Sequence, residues 1–219
     1  QTITYATNSQ NPVDLQDLRS GDARQRTLGL SMKPLGYEYR RQRSESMLNA
    51  GEISTATAAE AVLAVWRRRP QQARYRANEH FGALYEEIFT KDLSAAQLVV
   101  AVLIFRITDN KRRRPPAGAP EIVPYASCFA AMLMGRYLLA DLGLRLEKLD
   151  HLHFEAARKL VESKGEEYFN RAITTLEEAL KKLYGDRKVS ALQLSATFRR
   201  GDILEYLSPV AGGPKAGAL

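Results

Sequence analysis

Most of the chain shows the hydrophobic spacing of α-helices. Residues 166–184 give the clearest pattern, an apolar stripe with intervals of three and four residues. The stripe consists of Phe169, Ala172, Ile173, Leu176, Leu180 and Leu183. Segments 98–105 and 125–142 are apolar on nearly every side, which is typical of helices at the centre of a bundle. Both are expected to be core helices and not membrane spans, because Arg106 follows the first closely and Arg136 lies inside the second.

Capping residues and helix breakers predict where these helices begin and end. Thr57 and Glu60, like Ser94 and Gln97, have the spacing of a capping box at a helix start. The first of these helices is expected to continue until Pro70. Gly165 is expected to separate a helix that begins near Asp150 from the amphipathic helix after it. A last pair of short helices is predicted on either side of Arg200-Gly201.

The first part of the chain has a different pattern. Short helices are predicted at 14–18 and 22–30, followed by an extended segment at 37–40 with period-two alternation. The predicted fold is mainly α, with a short mixed α/β segment before a multi-helix bundle. We expect residues 1–45 to be the remnant of an upstream mixed α/β domain, residues 46–208 to form the helical bundle domain, and the Gly/Ala/Pro-rich residues 209–219 to be a disordered tail. Residues 111–120, with three prolines, are expected to form an exposed loop.

The net charge of +7 lies almost entirely in the first half. Residues 1–120 hold 18 lysines and arginines against 12 acidic residues, and residues 121–219 hold 14 against 13. Arginine clusters match phosphate or carboxylate groups, so they suggest nucleic acid or an acidic protein partner. The candidate nucleic-acid-binding residues are Arg40, Arg41, Arg43, Arg67, Arg68, Arg69, Arg112, Arg113 and Arg114. The alternative is that these charges serve solubility and the C-terminal ends of helices.

Other chemistry is sparse in the sequence. Phosphate loops and nucleophile elbows are absent, so no catalytic residue, metal or cofactor is assigned. The single cysteine, Cys128, is expected to be a small buried apolar residue in a reducing cytoplasm. Arg106 and Arg136 are expected to pair with carboxylates such as Asp109 and Asp141.

Several motifs together resemble one known family. They are Asn8-Ser9-Gln10-Asn11-Pro12-Val13, Asp17-Leu18-Arg19-Ser20-Gly21-Asp22, and Gly36-Tyr37-Glu38-Tyr39-Arg40-Arg41, with weaker matches up to about residue 160. The chain resembles the AIPR proteins, the abortive-infection phage-resistance proteins of bacteria. In that family the first motif follows a larger amino-terminal part, so the resemblance implies a carboxy-terminal portion, and the first residue, Gln1, fits this expectation. Asn8, Gln10 and Asn11 are then candidate ligand-binding residues, since their amides can bind a phosphate, a sugar or a base edge.

Three functional hypotheses remain open at this point. The chain is a helical module of an antiphage-defence protein that binds nucleic acid or a defence partner, without catalysis of its own. Alternatively, it is part of a nucleotide-processing or nuclease enzyme whose site is completed by the missing amino-terminal part of the same protein. The third is a structural or homo-oligomerising bundle. No membrane association is expected, and Leu103 and Phe105 are predicted to be among the most buried residues.

Overall fold

The structure is a computed structural model that describes residues 15–42 and 49–207. Within these ranges the chain is mainly α-helical, as the sequence predicts, with one two-stranded sheet near the beginning. The elements in chain order are α1 (Leu15–Ser20), α2 (Ala23–Met32), β1 (Glu38–Arg40), β2 (Glu52–Ser54), α3 (Thr55–Val65), α4 (Pro70–Tyr75), α5 (Tyr85–Ile88), α6 (Ala95–Arg113), α7 (Val123–Leu142), α8 (Phe154–Tyr184) and α9 (Ala191–Arg200).

The core lies between four helices, α3, α6, α7 and α8. The middle of α7 is almost wholly buried because its apolar residues surround the helix, so that neighbours on several sides cover it. Among the residues described, α7 is the one helix long and apolar enough to cross a membrane, and 72% of its most apolar stretch is buried inside the protein. Packing between α3, α6 and α8 therefore accounts for its composition.

The sheet joins segments that are separated in the sequence. β1 and β2 are parallel, with Tyr39 opposite Ile53, and both side chains are buried. The Tyr39 hydroxyl donates to Gln25 Oε1 at 2.7 Å, and Gln25 Nε2 donates to the Tyr85 hydroxyl at 3.1 Å. These buried hydrogen bonds tie the sheet to α2 and α5. The pairing of β1 with β2 therefore joins residues on both sides of the expected domain boundary at residue 45.

The helix after β2 begins and ends earlier than the sequence predicts. Ser54, and not Thr57, is the N-cap of α3, and its Oγ accepts a hydrogen bond from the Thr57 amide at 3.1 Å. The helix ends at Val65, and Pro70 opens α4 instead of ending α3. Proline fits the first turn of a helix because that turn does not use its missing N–H group.

The predicted loop at 111–120 is partly wrong. α6 begins at the predicted capping box of Ser94 and Gln97 but continues to Arg113, so residues 111–113 are helical. Cations are favoured in the last turn of a helix, where they face unpaired carbonyl groups. The burial prediction is confirmed for Phe105, which is 4% exposed, and is wrong for Leu103, which is only partly buried at the edge of the core.

α8 is a single helix of 31 residues, so the predicted break at Gly165 is wrong. The glycine is buried where α8 crosses α6, and an added Cβ there would lie 2.7 Å from Cδ1 of Ile107. This glycine therefore lies at the crossing of two helices and not at a helix end. The predicted break at Gly201 is confirmed, since α9 ends there in the left-handed conformation.

Candidate functional site

A cleft of about 450 Å³ opens between the loop before β2, the first half of α3 and the second half of α6. We call it the charged cleft, and its lining residues are Asn49, Ala50, Thr57, Glu60, Phe105, Arg106, Asp109, Asn110 and Arg113. Each helix contributes one carboxylate, Glu60 from α3 and Asp109 from α6. These polar groups converge because their spacing on both helices places them on the side where α3 and α6 meet the loop.

Arg74, from α4, joins the two carboxylates. Its Nη2 lies 3.1 Å from Glu60 Oε1 and 2.9 Å from Asp109 Oδ1. The charge of this guanidinium also acts on the buried Cys128 thiol of α7. Arg74 therefore ties α3 and α6 to α4 beside the charged cleft.

Asp109 accepts ion pairs from two further arginines on its own helix. Arg112 Nε lies 3.0 Å from Oδ1, and Arg113 Nε lies 2.7 Å from Oδ2. The carboxylate is only 14% exposed, whereas the Arg113 side chain is 68% exposed. Three guanidinium groups thus share one carboxylate, and the outermost of them faces solvent.

Arg106 adds a further positive charge, and its expected carboxylate partner is not found. It donates instead to the backbone carbonyls of Ala50 and Glu52, which fixes the loop at the edge of the cleft. Asp109, which was the expected partner, pairs with other arginines, and the charge of Arg106 remains without a carboxylate within 4.0 Å in the described part of the chain.

The two carboxylates of the cleft titrate in opposite directions. Burial raises the pKa of Glu60, and the nearby guanidinium of Arg74 only partly opposes this effect. Burial alone would also raise the pKa of Asp109, but the hydrogen bonds and charges of Arg112 and Arg74 outweigh it and hold that pKa below its ordinary value. The cleft therefore holds one carboxylate that is firmly ionised and one that takes up a proton more readily.

Most of the other predicted arginines contact the protein itself. Arg40 pairs with Glu52 at 2.7 Å and Arg69 with Glu87 at 2.7 Å. Arg41 Nη1 donates to the Ser20 carbonyl at 2.8 Å, and Arg67 Nη2 donates to Thr90 Oγ1 at 2.7 Å. Arg68 and Arg114 have no ion pair within 4.0 Å among the residues described. The predicted set is therefore mostly engaged in contacts that stabilise the fold.

The two arginine clusters, Arg67–Arg69 and Arg112–Arg114, do not come together. Trp66 Nε1, next to the first cluster, donates to the Gln97 carbonyl near the start of α6, at 2.8 Å. The second cluster lies at the end of that helix, about 22 Å further on at 1.5 Å per residue. Of the two clusters, only the second reaches the charged cleft, where Arg113 lines it and Arg112 pairs with its Asp109.

Some predicted residues lie outside the described part of the chain. They are Asn8, Gln10, Asn11 and Arg43. Among the described residues, no group of three or more His, Cys, Asp or Glu side chains could hold a metal ion. Cys128 is buried as expected, and burial raises the pKa of its thiol to about 11.

Sequence reasoning missed the acidic half of the cleft. The sequence pattern indicates only a capping box for Glu60 and an ion pair with Arg106 for Asp109. A usable signal was present, since Asp109, Arg112 and Arg113 have the (i, i+3) and (i, i+4) spacing of helix-surface ion pairs. This ion-pair spacing has a meaning only if α6 continues beyond residue 110, whereas the prolines after it predict a loop from residue 111.

Comparison with known proteins gives one match. A family model described as AIPR protein matches residues 1–188, which is most of the chain. No curated protein and no solved structure is detectably similar to it. The chain therefore belongs to the AIPR family and is an antiphage-defence-related protein.

Proposed function

We propose that this chain is a nucleic-acid-binding helical module of an antiphage-defence protein, and that the charged cleft takes a backbone phosphate. The observation that carries the proposal is the charge balance around the cleft. Four guanidinium groups, of Arg74, Arg106, Arg112 and Arg113, face only two carboxylates, Glu60 and Asp109. An excess of at least two positive charges in a polar cleft suits a phosphate group.

The rim of the cleft supports the same proposal. Arg113 is mostly exposed, and Arg114 beside it has no carboxylate within 4.0 Å among the described residues. Asn49 and Asn110 add amide groups that can donate to phosphate oxygens. Exposed guanidinium groups at the rim would attract a backbone phosphate, and Arg106, which lines the cleft without a carboxylate partner among the described residues, would help to hold it. Since no base-reading element is apparent in this arrangement, binding is expected to be independent of sequence.

Salt dependence of binding tests this proposal. Each phosphate contact releases counterions, so log K should fall against log salt with a slope near −0.9 per contact on duplex DNA, and the Arg113→Gln/Arg114→Gln variant should lose about two units. A matched control is Lys182→Gln/Lys188→Gln, which removes the same charge from exposed positions at the far end of α8 and beyond. Equal slopes for the two variants, or no binding of duplex DNA or RNA at low salt, would contradict the proposal.

One observation favours an enzyme as the second candidate. Two neighbouring carboxylates whose pKa values are displaced in opposite directions are a common arrangement for acid–base catalysis. In that case Glu60 would accept or donate the proton, and residues outside this chain would complete the site. Nuclease or nucleotidase activity of a longer chain that is lost in Glu60→Gln would favour this candidate. Activity that Glu60→Gln leaves unchanged would rule out the cleft as its location.

A further inference from the structure

Arg136 is a charged residue inside α7, the one helix among the described residues that is both long and apolar enough to cross a membrane. Its Nε is buried without a hydrogen-bond partner, and its Nη2 contacts only Met132 Sδ, at 3.8 Å. The sequence predicts a carboxylate partner such as Asp141, but Asp141 instead pairs with Lys164 and accepts from Tyr168. Arg136 has no carboxylate within 4.0 Å in the ranges 15–42 and 49–207, which is costly for a half-buried cation.

Arg68 brings a second cation to the same place. It follows the end of α3, is exposed, and has φ 55°, the one positive φ outside glycine among the described residues. A left-handed residue with a long side chain is strained by about 1–3 kcal/mol and is common at binding sites. The charge of Arg68 acts on Arg136, so this part of the fold carries two like charges, neither of which has a carboxylate within 4.0 Å among the described residues.

Close packing of α3 and α7 brings the two arginines to the same part of the fold. Gly135 lets α7 approach the end of α3, since an added Cβ there would lie 2.6 Å from Val65 Cγ1 and 3.0 Å from the Trp66 ring. The next residue on α7 is Arg136, and the chain leaves α3 through Arg68. Burial lowers the pKa of Arg136, and the positive charge of Arg68 lowers it further. The contact between α3 and α7 therefore determines where these two positive charges, which have no carboxylate partner in the described part of the chain, lie in the fold.

We propose that Arg68 and Arg136 form a binding site for a phosphate monoester, which is separate from the charged cleft. A phosphate monoester carries a charge of about −1.5 to −2 at pH 7, which matches two guanidinium groups, whereas a phosphodiester or a carboxylate carries only one negative charge. The planar fork of arginine also matches phosphate oxygens in a bidentate arrangement. The group is either inorganic phosphate or the terminal phosphate of a nucleotide or nucleic-acid end.

Calorimetric titration with inorganic phosphate, at constant ionic strength, tests the site. The wild type should bind one phosphate, and Arg68→Gln and Arg136→Gln should each weaken binding by about tenfold or more, as expected for a charge-assisted hydrogen bond. Arg68 is exposed, so its replacement leaves the core intact. Arg69→Gln is the matched control, because Arg69 is adjacent in sequence but pairs with Glu87 at 2.7 Å, and it should bind phosphate as the wild type does.

A second arm identifies the source of the phosphate. A short single strand with a 5′-phosphate should bind more tightly than the same strand with a 5′-hydroxyl if the natural group is a nucleic-acid end, and equally if it is free phosphate. The Arg113→Gln/Arg114→Gln variant should keep the inorganic phosphate site, so this site and the charged cleft can fail independently. Absence of phosphate binding by the wild type, or binding that Arg68→Gln and Arg136→Gln leave unchanged, would overturn the proposal. The two arginines would then serve only the negative C-terminal end of α3.

Discussion

Gly135 of α7 and Val65 of α3 approach so closely that a Cβ on the glycine would lie 2.6 Å from Cγ1 of the valine. An atom of the Trp66 ring lies 3.0 Å from the same Cβ position, and the side chains of Val65 and Trp66 are both buried. Neither can move easily, because Val65 is branched at Cβ and the Trp66 Nε1 is tied to the Gln97 carbonyl at 2.8 Å. This contact sets the distance between α3 and α7, and with it the position of Arg136.

Gly135→Ala should therefore destabilise the protein. Alanine improves helix propensity by about 1 kcal/mol, but overpacking a rigid contact typically costs about 1–3 kcal/mol. Gly165→Ala is the matched control, since its new Cβ would meet only the terminal Cδ1 of Ile107, a partly buried side chain that can rotate away. Urea denaturation of the two variants should show a lower midpoint for Gly135→Ala only. Equal midpoints would show that α3 and α7 separate at little cost.

The position of Leu103 gives a second prediction about the core. Leu98 is fully buried, whereas Leu103 lies at the edge of the core on the same helix. Replacing a fully buried leucine by alanine costs about 2–5 kcal/mol, because it removes apolar contacts and leaves a cavity. We expect Leu98→Ala to fall in this range and Leu103→Ala to cost less than half as much. Thermal unfolding of both variants provides the comparison, and a larger effect at Leu103 would contradict the burial found here.

The sequence was sufficient for features that depend on local patterns. The capping box of Ser94 and Gln97 marks the start of α6, and the stripe from Phe169 to Leu180 identifies the buried side of α8. It was insufficient where a distant contact decides, because Gly165 resembles a helix end until Ile107 is seen against it. Likewise the partners of Arg106 are the carbonyls of Ala50 and Glu52, more than 50 residues away, which no spacing rule within a helix can identify.

His80 predicts how stability responds to acid. It is 2% exposed, its Nε2 has no hydrogen-bond partner, and burial lowers its pKa from the ordinary value of 6.5. The unfolded chain therefore takes up a proton near pH 6.5 that the folded protein accepts only at lower pH. The contribution of neutral His80 to stability should therefore be fully present above pH 6.5 and be lost as the pH drops through the pKa of His80 in the folded protein.

The matched variant for this prediction is His80→Gln, which cannot titrate in this range. Its free energy of unfolding should change less than that of the wild type between pH 7.5 and about pH 5, the range below the ordinary histidine pKa. Carboxylates with lowered pKa values, such as Asp109, act at lower pH and should affect both proteins alike. Parallel curves for the two proteins across this range would show that another group controls the acid response.

The last prediction separates the structural part of the charged cleft from the part proposed to bind phosphate. Arg74 contacts both Glu60 and Asp109, and its removal leaves the partly buried Glu60 without its ion pair. Leaving such a group unsatisfied costs about 1–3 kcal/mol, so Arg74→Met should be clearly less stable in urea. Arg113→Met should change stability by less than about 0.5 kcal/mol, because the side chain is 68% exposed and Asp109 keeps two other partners.

The two variants should show the opposite order in nucleic-acid binding measured below their unfolding transitions. Arg113→Met removes a cation from the rim and should flatten the salt slope on duplex DNA by about one unit. Arg74→Met should unfold at a lower urea concentration than the wild type but bind duplex DNA with the wild-type salt slope. The charge of Arg74 is already shared between Glu60 and Asp109, so its removal takes no free cation from the cleft. If Arg113→Met instead lowered stability and left the slope unchanged, the whole cluster would be an ion-pair network that holds α3, α4 and α6 together, and the charged cleft would not bind phosphate.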